Sequence, residues 1–235
     1  MRPILTMPGR QARLLALVAA LVTATPALAL SLADLTTKDA GSGLKAALSQ
    51  GVDRAVGQLG TSGGFLGNPK VEIPLPPALD KASQALRFVG MGGQADELKE
   101  TMNHAAEAAV AAAGPTFKKA LKSMTLADAK GILGGGDDAA TDYFRRSSSD
   151  ELRQKFRPIV AKATQRLKLA AVYNRYAGKA AELGLVRGED ADLDGYVTGK
   201  ALDGLFTVIA DEEKAIRQDP LGQASSLLRK VFGAQ

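Results

Sequence analysis

The chain has no cysteine, no tryptophan and a single histidine, and aromatic residues make up only 5% of it. Without cysteine there is no disulfide, no thiolate nucleophile and no cysteine zinc site, so packing alone must hold the fold. With one histidine, every histidine-dependent chemistry rests on His104. No Gly-x-Ser-x-Gly elbow and no Gly-Lys-Ser/Thr phosphate loop occurs. Long apolar runs are missing too. The longest, Leu14 to Leu30, is interrupted by Thr23, Thr25 and Pro26, and falls short of the ~20 apolar residues of a spanning helix.

That run has a different meaning. Arg2, Arg10 and Arg13 precede it, and Ala27-Leu28-Ala29 follows with small residues where a signal peptidase reads. The pattern predicts a secretory signal peptide over residues 1–29, cleaved near Ala29, and hence a periplasmic protein. The charge balance shifts with it. The whole chain has 30 basic and 25 acidic residues. Losing three arginines leaves 27 against 25, a net of +2 over residues 30–235. A nucleic-acid partner is not expected at so small an excess.

What remains predicts helices. Leu44, Ala47, Leu48, Val52, Ala55, Val56 and Leu59 recur at spacings of three and four. Residues 60–77, with Gly63-Gly64, Asn68-Pro69, Pro74, Pro76 and Pro77, predict an ordered Gly/Pro-rich loop entering a helix at Pro77. Helices are then expected at 77–89, 94–113, 115–123, a short one capped by Thr125 and Asp128, 137–146, 149–156, 158–181, 195–217 and 221–232. The fold class is all-α, one multi-helix domain of eight to ten helices over residues 30–235.

Four strings carry a resemblance: NPKVEIPLPP (68–77), MTLADAKGILGGGDDAATDYFRR (124–146), YNRYAG (173–178) and YVTGKALDGLFTVIADEEKAIRQDP (196–220). They resemble the exported bacterial domain-of-unknown-function family 4197, and the likeness covers almost all of the mature chain. It implies an α-helical exported protein and brings no activity and no catalytic residue.

Candidate sites are few. Asp190, Asp192, Asp194 and Gly195 match positions one, three, five and six of a calcium loop, but position twelve is Ala201 where a bidentate glutamate is needed. Calcium there competes with a plainer expectation, a carboxylate capping the next helix. Gly134-Gly135-Gly136 precedes a helix, yet Asp137 and Asp138 would repel a phosphate, so glycine as a helix stop fits better. His104 has Glu100 and Glu107 within a turn, an ordinary surface pairing.

Charge is segregated along the chain. From Arg145 to Lys179 ten bases face two acids, a net of +8, while Glu182 to Asp219 has ten acids and four bases, a net of −6. The two segments either complement each other internally, as the near-cancelling totals favour, or leave a basic face for an anionic partner. For the second case Tyr143, Arg145, Arg146, Tyr173, Arg175 and Tyr176 are the expected ligand-binding set, although tyrosine at helical spacing also serves as core. The expected function is a non-enzymatic periplasmic binding or interaction protein. Its partner would be an anionic or amphipathic ligand, a phospholipid head group, a cell-wall polymer or an envelope protein. The alternative is a carboxylate-based metal-dependent enzyme or calcium-stabilised module, on Asp137, Asp138 and Asp142 or on Asp190, Asp192 and Asp194.

Overall fold

Apolar residues spaced three and four apart need a partner surface, and here helices supply it to one another. The computed structural model describes residues 37–77, 79–81, 87, 92–182 and 192–218. Among them are seven helices and no strand: α1 (Thr37–Leu59), α2 (Gly92–Ala111), α3 (Gly114–Ser123), α4 (Leu126–Leu133), α5 (Ala139–Thr164), α6 (Lys168–Glu182) and α7 (Leu193–Gln218). The signal peptide, the expected helix at 221–232 and most of that at 77–89 lie outside the described residues.

The long helices α2, α5 and α7 pack on one another, and α1 lies on α7. One continuous core joins every helix and the 60–77 loop. The chain is therefore a single all-α domain. Alanines on the inner face of α2 (Ala105, Ala106, Ala109) are buried and let its backbone approach its neighbours. Phe117, Phe144 and Phe206 meet edge to face at the centre, with centroids 5.2 and 6.2 Å apart. Burying each such ring contributes roughly 1.5–3 kcal/mol.

Several helix boundaries differ from the sequence expectation: the helices expected at 137–146 and 149–156 and the first part of 158–181 are joined in one. Residues 139–164 form one helix that runs through Pro158. Proline removes one backbone hydrogen bond and frees the carbonyl of residue i−4. Both Gln154 and Pro158 are exposed, so that carbonyl is open to solvent and its lost partner costs little. The break falls instead at 165–167, where Leu167 N–H donates to the Thr164 carbonyl at 3.0 Å. At the other end the helix begins at Ala139, two residues later than Asp137 suggested.

The loop at 60–77 is held by side chains rather than by regular structure. Asn103, fully buried on α2, receives Ile73 N–H at 2.8 Å and donates to the Ile73 carbonyl at 2.9 Å. Glu107, also buried, accepts Phe65 N–H at 3.0 Å and Leu66 N–H at 3.3 Å. Lys99 pairs with Glu72 at 2.8 Å, and Tyr196 O–H donates to the Pro74 carbonyl at 3.2 Å. Phe65 enters the core where α7 has Gly204. A Cβ there would stand 2.7 Å from the Phe65 ring and 3.2 Å from Val71 Cβ, so only glycine lets the loop pack this closely.

Candidate functional site

The acids Asp211, Glu212 and Glu213 of α7 find their partners outside the basic segment. Glu213, almost fully buried, accepts Ala140 N–H at 2.9 Å, and Thr141 N–H and O–H at 2.8 Å each. It thereby caps α5 from another helix, since Asp138 makes no side-chain cap. Arg217 neutralises it at 2.8 Å and also donates to the Ile132 carbonyl at 3.0 Å. Glu212 pairs with Arg54 at 2.6 Å, and Asp211 with Lys70. A helix N-terminus that resembles an anion site in sequence is thus filled by the chain's own carboxylate.

Asp192 and Asp194 are likewise engaged. Asp192 is the residue before α7; its Oδ1 accepts Gly195 N–H at 2.7 Å and its Oδ2 accepts from Arg157 at 2.7 Å. Asp194 accepts the Thr164 hydroxyl at 2.6 Å. Leu193 N–H is taken by Asn174 Oδ1 at 2.8 Å. This is the capping arrangement. Asp190 lies outside the described residues. Asp137, Asp138 and Asp142 are exposed, and among the described residues no three histidine, aspartate or glutamate side chains gather as a metal site would need.

The six expected ligand-binding residues do not share one pocket. Tyr143 and Arg146 face a groove between α4 and α5. The Tyr143 hydroxyl donates to the Ala120 carbonyl at 2.8 Å, and burial pushes its pKa up. Arg145 stacks on the Phe206 ring, 4.7 Å from the centroid. Tyr173 is core, on the inner face of α6. Arg175 and Tyr176 are exposed on the outer face of α6. From Tyr143 to the end of α5, where the chain turns towards α6, is about 30 Å of helix. Arg175 and Tyr176 therefore belong with a different neighbourhood.

That neighbourhood is the junction of α5 and α6. Lys162, Arg166, Lys168 and Arg175 are all exposed, and none makes a side-chain hydrogen bond or ion pair among the described residues. Arg166 and Lys168, with Leu167, Leu169, Gln94 and Glu97, line an open cleft of about 290 Å³. Lys168, Val172, Arg175 and Tyr176 recur at helical spacing along one side of α6. Val172 is 39% and Tyr176 67% exposed. The other side, with Leu169, Ala170, Tyr173 and Ala177, is buried.

Other bases of the segment, Arg153, Lys155 and Arg157, hold carboxylate partners. Lys155 and Lys119 both bind Glu151, at 2.9 and 2.7 Å, and draw its carboxyl down to about 2. Arg157 and Asp192 join the basic segment to the acidic one at 2.7 Å. Asp211, Glu212 and Glu213, by contrast, pair with Lys70, Arg54 and Arg217, all outside the basic segment.

His104 donates to Glu107 at 2.7 Å and stands 3.6 Å from Glu100. The hydrogen bond to Glu107 is the largest cause of its raised pKa. Sequence reasoning saw the pairing but missed that Glu107 is buried and reaches the loop. The available signal was weak: Asn103 and Glu107 are polar residues one turn apart, each next to a core position, Met102 and Ala106.

Fold and site together define an all-α domain whose buried Asn103, Glu107 and Glu213 are fully hydrogen-bonded and whose α5–α6 end carries unpaired cations among the described residues. The chain belongs to the family described as protein of unknown function (DUF4197), whose model matches residues 34–233. No curated protein and no solved structure matches it.

Proposed function

We propose that the chain is a non-enzymatic interaction protein of the cell envelope that docks through its α5–α6 end onto anionic phospholipid. One observation carries this reading: Lys168 and Arg175 flank the exposed Val172 and Tyr176 on α6, Arg166 shares the adjoining cleft with Lys168, and none of these cations has a partner among the described residues. A basic residue held near an anionic membrane surface contributes about 1 kcal/mol, so these together make a weak, salt-sensitive attachment. Tyrosine suits that boundary, its ring facing the acyl region and its hydroxyl remaining wet. The cleft beside Arg166 and Lys168 offers a phosphate two donors, Glu97 being its one acid.

The attachment would be peripheral, because no helix of the described residues is long and apolar enough to cross a membrane. The signal-peptide pattern ending near Ala29 supports a location where such head groups are met.

Co-sedimentation of the mature protein with vesicles tests the reading. Vesicles rich in phosphatidylglycerol should retain it at low salt and release it at high salt, and pure phosphatidylcholine vesicles should not retain it. The Lys168→Ala/Arg175→Ala double variant and Tyr176→Ala should each reduce retention several-fold. No retention on phosphatidylglycerol, or equal retention on phosphatidylcholine, overturns the proposal.

A further inference from the structure

The groove between α4 and α5 has a composition that the membrane reading does not use. It measures about 320 Å³ and opens to solvent, with Ala127, Asp128, Gly131 and Ile132 from α4 facing Ala139, Asp142, Tyr143 and Arg146 from α5. Its apolar walls are the Ile132 side chain and the Tyr143 ring, whose hydroxyl is already tied to Ala120.

Three features of the groove are unusual together. First, Asp142 and Arg146 stand one turn apart in the order that favours an ion pair, yet they form none. Neither side chain makes a hydrogen bond or ion pair among the described residues, although the Arg146 charge adds to the Thr125 hydrogen bonds that hold the Asp128 carboxyl down. Second, Asp128 is different: its Oδ2 accepts Thr125 N–H at 2.9 Å and Thr125 O–H at 2.6 Å, completing the capping box of α4. Third, Gly131 lies inside α4, where glycine weakens a helix relative to alanine. No packing demands it, because a Cβ there would meet nothing within 4 Å. Gly131 lines the groove, so a longer side chain at this position would project into it.

The charges select the ligand class. Two carboxylates and one guanidinium leave the groove with a net of −1, which disfavours an anion. Arg146 disfavours a simple cation. A molecule with both charges satisfies both free groups: its carboxylate on the planar fork of Arg146, its ammonium on Asp142.

We infer that the α4–α5 groove binds a small zwitterion, a free amino acid. The site stands apart from the α6 face, so either proposal survives failure of the other.

Thermal-shift and calorimetric titration of the mature protein against free amino acids test it. At least one should raise Tm saturably, and its methyl ester and N-acetyl derivatives should not. Arg146→Ala and Asp142→Asn should each weaken its Kd by about tenfold or more. Gly131→Leu, which fills the groove with a good helix former, should abolish binding without lowering the Tm of the free protein. The inference is overturned if no amino acid shifts Tm at millimolar concentration. It is equally overturned if binding is indifferent to Gly131→Leu, or if acetate binds as well as the amino acid.

Discussion

The acidic and basic halves of the C-terminal region carry nearly opposite charge in sequence and are treated very differently by the fold. Asp192, just before α7, and Asp194, Asp211, Glu212 and Glu213 on it each hold a partner. At the α5–α6 junction, Lys162, Arg166, Lys168 and Arg175 hold none among the described residues. The difference follows from geometry. Helix α7 lies against α1, α2 and α5, so its carboxylates meet cations and backbone N–H groups from several directions. The outer side of α6 faces solvent. Opposite totals in neighbouring segments therefore do not imply that the segments neutralise each other.

The comparison breaks most sharply at Glu213. Glu213→Ala leaves the largely covered Arg217 without its carboxylate and two N–H groups of α5 without an acceptor. The loss should be about 3–5 kcal/mol, read as a lower urea midpoint. Next comes Asn103→Ala, which orphans both the N–H and the carbonyl of Ile73. A loss of about 2–3 kcal/mol is expected, with faster amide exchange confined first to the 60–77 loop.

A smaller, pH-dependent effect is expected from His104 and Glu107. The raised pKa of His104 means that its contribution is complete below its ordinary value of 6.5 and is lost as pH rises through the higher folded value. The lowered pKa of Glu107 means the reverse: its contribution is present above 4.5 and lost as pH falls through the folded value. Stability should fall on both sides of that window, and His104→Ala should remove the fall on the alkaline side. Urea midpoints measured across pH check this; an unchanged alkaline limb in the variant would contradict it.

The smallest effect belongs to the unpaired end. The Lys168→Ala/Arg175→Ala double variant should change stability by less than about 0.5 kcal/mol, while vesicle retention falls. A large loss of Tm there would mean that these cations support the fold, and the contrast between the two halves would collapse.

Much of this architecture was legible residue by residue. The stripe from Leu44 to Leu59 is the buried face of α1, and the Thr125–Asp128 capping box is present as spelled. Both are local: a helical period and a cap depend on residues within one or two turns. Pro158 misled because the cost of a proline depends on which side of the helix loses its hydrogen bond, and that side is set by tertiary packing. The candidate ligand residues misled for the same reason. Tyr143, Arg145, Tyr173 and Tyr176 are similar in sequence, yet one is tied to Ala120, one stacks on Phe206, one is core and one is exposed.

By itself the sequence determined the helical class, the absence of covalent staples, the loop at 60–77 and the family, because composition, periodicity and turn chemistry act over short range. The tertiary structure alone decided that Glu213 caps α5, that Asn103 and Glu107 hold the loop, and which cations are left unpaired. Those outcomes depend on groups 30 to 73 residues apart meeting within hydrogen-bond distance, and no local pattern encodes such a meeting.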